Sequence, residues 1–271
     1  MKTILVPVDF SEQSRNAAYH AAEIAKSLNA RLLLFHAYMM PTPVSEVPYV
    51  MVTVDELQKD NENLIKKEAA HLNEKYGMEI EWLVRIGVPS DEIKQVTEER
   101  DIHLVVMGMK GVGGIDKIIG STTINAIRKL HVPLLVVPQN ARFVPLQNIL
   151  YATDLNYEIN TRLLQPLVEL VIRHNAHLHI LNIKTPGTNT VTDEKEWENQ
   201  MREVFNGLPF EFHSEENSSV ESGINSYIEN HNCQLLVMIA RKHSFFERLF
   251  NKSHTRIMAY ETHIPLLILT A

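Results

Sequence analysis

Glycines at 108, 111, 113 and 114, followed by Gly120-Ser121-Thr122, make residues 108–122 the part of this chain best suited to holding phosphate. Without side chains, successive backbone N–H groups can close on a polyphosphate, and positive-φ conformations aim them inward. Ser121 is placed to cap the helix that follows, so Gly120, Ser121 and Thr122 would present amides and hydroxyls at a positive helix end, a second anion site. Lys110 can add a cation, and it reads equally well, like Lys117, as a solvated charge. Taken alone, the glycines also suit a surface loop in which they only permit turns. Asp9 follows the apolar run Ile4–Val8 and can cap the next helix, hold a ligand, or do both.

Other reactive side chains carry less. His177-x-His179 points two imidazoles to one side of a strand, but no third ligand is evident nearby in sequence, so they read as a packed or surface pair. The single cysteine, Cys233, excludes an internal disulfide, agrees with a reducing compartment, and reads as a small semi-buried side chain. The chain has no Gly-x-Ser-x-Gly elbow, no Gly-Lys-Ser/Thr and no base beside the glycine segment. Catalysis is therefore not signalled.

Short β-rich runs alternate with helical patterns, as in a parallel α/β sheet. Strands are expected at Ile4–Val8, Arg31–Ala37, Glu79–Ile86, Leu104–Met107 and Leu134–Val137. Between them fall an alanine-rich helix after Ser11, a charged helix over Asp55–Tyr76, a helix opened by Pro89, and one after Ser121. Near-continuous apolar strands with right-handed crossovers favour a doubly wound sheet, in which ligands bind where the strand order reverses. Asp9 ends the first strand and Gly108 the fourth, so both would line one crevice if those strands are neighbours.

The pattern then repeats. Asp9 maps onto Asp154 at an offset of 145, Met107 onto Met238 at 131, and Pro133 onto Pro265 at 132. The first half thus carries extra residues, for which 39–54 is the obvious place, and the domains are expected at 1–140 and 146–271. Strands of the second are expected near 148–153, 177–183, 209–213, 235–239 and 265–269, five strands and four helices per half. Its counterpart of the glycine segment has lost the glycines and reads Ala240-Arg-Lys-His243-Ser-Phe-Phe. There Asp154 is expected to be structural, and Phe245, Phe246, Leu249 and Phe250 to fill the space a ligand would take or to form a partner-binding patch. A net charge of −7 offers no basic field for nucleic acid, and no apolar run is long enough to span a bilayer. A cytoplasmic protein is expected, since Met1-Lys2 leads directly into a strand.

The order strand, Gly108-x2-Gly111, spacer, Gly120-Ser121, helix and Val132-Pro-Leu-Leu-Val-Val137 resembles the universal stress protein family, as do Val6-Pro-Val-Asp-Phe-Ser11 and Gly87-Val-Pro89. The family pattern places nine residues between the second and third glycines, and this chain has eight, 112–119. The resemblance covers both halves. It implies two tandem doubly wound parallel five-stranded sheets, Rossmann-like and of the adenine nucleotide alpha hydrolase type, with strand order 3-2-1-4-5. It further implies ATP or another adenine nucleotide with Mg²⁺, the ion on Asp9 with Pro7 and Val8 beside it, and the adenine edge read by the backbone at Ala37. Met107, Gly108, Met109, Lys110 and Gly111 would wrap ribose and phosphate, and Gly120, Ser121 and Thr122 would hold the outer phosphates.

The leading expectation is a nucleotide-binding regulatory protein under stress, read by an unidentified partner. Alternatives are a slow ATP-hydrolysing enzyme and a nucleotide-free scaffold. Family members pair through their last strand, and Pro133–Val137 and Pro265–Leu269 remain nearly identical. The two halves are thus expected to pair through these strands within one chain, with a further homodimer through the helices left open.

Overall fold

A computed structural model of the protein describes residues 1–40, 53–109, 121–155, 160–186, 194–205, 207–240 and 263–270. The first half runs β1 (Thr3–Pro7), α1 (Glu12–Leu28), β2 (Arg31–Tyr38), α2 (Val54–Tyr76), β3 (Ile80–Ile86), α3 (Pro89–Glu99), β4 (Ile102–Met109), α4 (Ser121–Lys129) and β5 (Leu134–Pro138). The second runs β6 (Asn148–Ala152), α5 (Thr161–His174), β7 (His177–Lys184), α6 (Glu194–Phe205), β8 (Phe210–Glu216), α7 (Val220–His231), β9 (Leu235–Ala240) and β10 (Leu266–Thr270). The helix expected between β9 and β10, the group Phe245, Phe246, Leu249 and Phe250, and most of the extra segment after β2 lie outside the described residues.

Local chemistry sets the helix ends. The Ser11 side chain accepts from the Ser14 N–H to start α1, and Asn29, in the left-handed region, ends it. Asn160 and Asn175 do the same for α5. Between these caps α1 turns Ala17, Ala18, Ala21, Ala22 and Ala25 to the sheet, all buried, and their small side chains let the helix lie close to the strands.

The ten strands form one sheet, in the order β3-β2-β1-β4-β5-β10-β9-β6-β7-β8. Neighbours are parallel except at the centre, where Leu266, Leu267 and Ile268 of β10 run antiparallel to Val136, Leu135 and Leu134 of β5. The two sheets expected from the sequence are therefore two arms of a single one, and the order reads alike from either edge. Apolar strands that would otherwise be edges explain the joint. Leu134 to Val137 are at most 3% exposed, and both cores run across the seam: Leu135 and Val137 share a cluster with Leu267 and Leu269, Leu134 and Val136 with Leu266 and Ile268. No helix among the described residues is long and apolar enough to cross a membrane.

Helix α1 also clasps the connection between the halves. Asn16 Nδ2 donates to the carbonyls of Pro138, Gln139 and Ala141 at 3.1, 3.3 and 2.8 Å. His20 Nε2 lies 3.1 Å from the Ala141 carbonyl, with the Phe143 ring edge-on at 5.5 Å. Burial lowers the His20 pKa from its ordinary 6.5, and the Ala141 hydrogen bond offsets part of that. A depressed histidine gives its full stability above the unfolded pKa and loses it as pH falls below, because protonation is then easier in the unfolded chain. Between about pH 7 and 5, His20→Gln, whose amide still donates to Ala141, should lose less melting temperature by calorimetry than the parent. Parallel pH profiles would mean that His20 does not titrate in this window.

Candidate functional site

The chain leaves β1 toward β2 on one side and returns to place β4 on the other, so the strand order reverses between β1 and β4, which are hydrogen-bonded neighbours. At their carboxyl ends a cleft of about 210 Å³ opens. Pro7, Val8, Asp9, Ala37, Met107, Gly108 and Thr122, all expected at the site, line it. Met109 continues β4 beyond Gly108 and Ser121 opens α4, but neither lines the cleft. Lys110, Gly111 and Gly120 lie outside the described residues. Ser121 is itself helical rather than the cap of α4.

One wall is apolar and the other polar. Phe35, Ala37, Pro89, Ile93 and Met107 supply the first, while Asp9, Ser11, Gln13, Ser14, Thr122 and Thr123 supply the second. The polar wall is built from the capped start of α1, Ser11–Ser14, and from Thr122 and Thr123 of α4, so the positive dipole end of α1 adjoins the space. Thr123 Oγ1 donates to the Gly108 carbonyl at 3.3 Å, fixing α4 to the end of β4.

The backbone of β2 adds a polar edge. Val8 N–H donates to the Phe35 carbonyl at 2.7 Å, and Gly87 N–H donates to the Tyr38 carbonyl at 2.9 Å on the opposite side. In a parallel ladder N–H and C=O alternate sides by residue, so the amide and carbonyl of Ala37 face the same way as those of Phe35, just past the point where β1 ends. A donor and an acceptor therefore stand side by side at the apolar wall, the pairing that the edge of a purine base complements. His36 Nδ1, 2.7 Å from the Val8 carbonyl, ties the last turn of β1 to β2; in the second half Asn182 Nδ2 donates to Thr153 O at 2.9 Å in its place.

Asp9 is exposed at the mouth of this cleft. Its Oδ1 accepts from the Ser11 N–H at 3.1 Å and from the Ser11 hydroxyl. Burial pushes the carboxyl up, but the Ser11 and Ser14 hydrogen bonds outweigh it and hold the group below 3.8. Asp9 thus steadies the α1 cap from outside, through Ser11, while staying anionic.

Gly108 lines the cleft and also has a packing reason to be glycine. A Cβ there would stand 2.4 Å from the Gln13 carbonyl oxygen and 2.6 Å from its carbon, so glycine is needed for α1 to approach β4. In the second half the counterpart is Ile239, at the offset of 131 that relates Met107 to Met238. There α5 begins at Thr161 after an Asn160 cap, four residues later than the counterpart of Glu12 at the offset of 145. A side chain on the strand and a withdrawn helix start go together. Cys233 is buried, which pushes its thiol up to about 12 and makes it a packing residue.

Several cleft residues were not singled out by sequence. Beyond their places in the Val6–Ser11 and Gly87–Pro89 motifs, Ser11 and Pro89 read as helix starts and Phe35 as part of a strand, while Gln13, Ser14 and Ile93 carried no reading of their own. The signal available was their place just after β1 and β3, on the side of the sheet that carries Asp9.

Comparison with known proteins follows this geometry. The sequence pattern of the universal stress protein family matches residues 1–138 and again 145–270. A universal stress protein of Methanocaldococcus jannaschii, MJ0531, is 31% identical over 144 residues, covering 50% of this chain and 81% of its own. A solved universal stress protein from Archaeoglobus fulgidus superposes with a TM-score of 0.76 over 99% of this chain and 98% of its own at 19% identity, a likeness of fold. Another universal stress protein, solved in complex with cAMP, is 25% identical over 50% of this chain and 96% of its own, with a TM-score of 0.38.

Proposed function

Because this chain belongs to the universal stress protein family, we propose that its first half binds one adenine nucleotide, ATP foremost, together with Mg²⁺, and that the loaded state is a cytoplasmic regulatory signal read by a partner protein under stress. The second half acts as a pseudo-repeat that covers β5. One observation carries this reading. A cleft at the strand reversal combines an apolar wall, the outward amide and carbonyl of Ala37, and the α1 start with Thr122 and Thr123 beside an anionic Asp9.

Each part has a chemical counterpart in the ligand. The apolar wall takes the base, Ala37 pairs with its edge, and the α1 start with Thr122 takes phosphate. At about 210 Å³ the cleft is below the roughly 300 Å³ at which drug-sized pockets begin, so it holds the nucleoside and the phosphates run outward past α4. A lone carboxylate kept ionised suits Mg²⁺, which commonly binds one or two carboxylates together with substrate phosphates and water. Asp9 would hold the ion, which neutralises phosphate charge.

Calorimetry with Mg-ATP should give one site per chain. Asp9→Asn keeps an acceptor for Ser11 but loses the charge, so it should weaken Mg-ATP binding by about tenfold or more and leave metal-free ATP binding unchanged or tighter. No heat with the parent protein would refute nucleotide binding, and equal weakening with and without Mg²⁺ would reduce Asp9 to a capping role. Among the described residues lining the cleft only Asp9 can act as a base, and its Oδ1 is held by Ser11, so phosphate release should fall below the ~1 per second at the low end of ordinary enzymes. Faster turnover would make the protein an ATPase.

A further inference from the structure

Register in the second half gathers side chains that sequence keeps apart. His179 of β7 is paired with Glu211 of β8, and alternation brings His177 and His213 to the same face of the sheet. Helix α7 covers that face with Tyr227 and His231, whose rings stack at 3.8 Å. The His179 ring lies 5.5 Å from that of His231 and 6.2 Å from that of His213. Three imidazoles thus border one carboxylate near the amino ends of β7 and β8, with His231 behind them, at the opposite end of the strands from the first half's cleft position.

Hydrogen bonds assign the lone pairs. Asn148 Nδ2 is turned to the carbonyls of His231 and Asn232 at 3.3 and 3.5 Å, which leaves its Oδ1 facing His179 Nε2 at 3.4 Å. His179 therefore carries its proton on Nε2 and its lone pair on Nδ1. That Nδ1 accepts from the Tyr227 hydroxyl at 3.1 Å, which must turn away for the lone pair to reach an ion, and it faces Glu211 Oε2 at 3.9 Å. His231 Nδ1 lies 3.1 Å from the Tyr227 carbonyl, so it donates there and keeps its lone pair on Nε2. On the other side His177 Nε2 is 3.2 Å from Glu211 Oε1, and His213 Nε2 is 3.2 Å from Glu211 Oε2.

We infer that His177, His179 and Glu211 form a binding site for a late first-row divalent cation such as Zn²⁺, with His213 hydrogen-bonded to Glu211 as an outer partner. The ligand atoms of the first three lie within 4.8 Å of one another. A tetrahedral ion with bonds of roughly 2.0–2.1 Å holds its ligands about 3.3 Å apart; His177 Nε2 stands 3.2 Å from Glu211 Oε1, and His179 Nδ1 3.9 Å from Glu211 Oε2. Small side-chain rotations of His177 and Glu211, both more than a third exposed, close the rest, and solvent reaches the ion from that side. Imidazole with one carboxylate selects such ions over Mg²⁺ or Ca²⁺, which prefer all-oxygen sites. Asn148 is the outer partner that fixes a ligating histidine's tautomer.

Full-length protein should be titrated with ZnCl₂ against a competing chelator, and with Co²⁺ followed by visible absorption. The expected result is one high-affinity Zn²⁺ per chain and the absorption bands of low-coordinate Co²⁺. Glu211→Gln and His177→Gln, at solvent-accessible positions, should each weaken Zn²⁺ by roughly tenfold or more, while His103→Gln and Asp9→Asn leave it unchanged. Absence of stoichiometric binding, or unchanged affinity in both cluster variants with native circular dichroism, would overturn the site. The Asp9 control separates this result from the fate of the nucleotide reading.

Discussion

A fragment ending at residue 140 is expected to self-associate or precipitate at concentrations where the whole chain stays dispersed. Removing the second half strips β10 from β5 and leaves the N–H and C=O groups of Leu134–Ile268 pairing without partners along a strand that is otherwise buried throughout. It also opens both cores, since Leu135 and Val137 lose Leu267 and Leu269 on one face, and Leu134 and Val136 lose Leu266 and Ile268 on the other. Burying one Leu or Val side chain is worth roughly 1.5–3 kcal/mol, so several partly uncovered together give a strong drive toward a second copy or an aggregate. Analytical ultracentrifugation of the fragment measures this directly. A soluble monomer would show that the second half is not needed to cover that edge.

Gly108→Val is expected to fail in two ways at once. Its Cβ would meet the Gln13 backbone at 2.4 Å, and backbone at a capped helix start cannot rotate aside as a side chain can. Helix α1 must move off β4, carrying Ser11, Ser14 and the Asp9 hydrogen bonds with it. Overpacking costs roughly 1–3 kcal/mol, several degrees of melting temperature for a chain of this size. Nucleotide affinity should fall with it, because the displaced residues form the polar wall. Scanning calorimetry and ATP titration of the same preparation test both. A melting temperature equal to the parent's would show that α1 yields without cost.

Much of the fold was legible because its signals are local. The offsets linking Asp9 to Asp154 and Pro133 to Pro265 expose the duplication, and Ser11, Pro89 and the apolar runs mark element starts within a few residues of their positions. What escaped depends on register. Glu211 and His213 lie more than thirty residues from His177, and only the β7–β8 pairing of His179 with Glu211 joins them, so the histidine pair lacked its third ligand in sequence. At Gly108 the sequence shows the absent side chain but not the second reason for it, the α1 backbone it makes room for.

The antiparallel β5–β10 seam also changes how the halves answer to dilution. Two separate copies joined through such strands would part as their concentration fell, following mass action. Here residues 139–147 tether the partners and dock on α1, so closing the seam is unimolecular, at an effective concentration on the order of millimolar for a short tether. Cellular abundance then sets how many molecules exist, but not what fraction of them is paired.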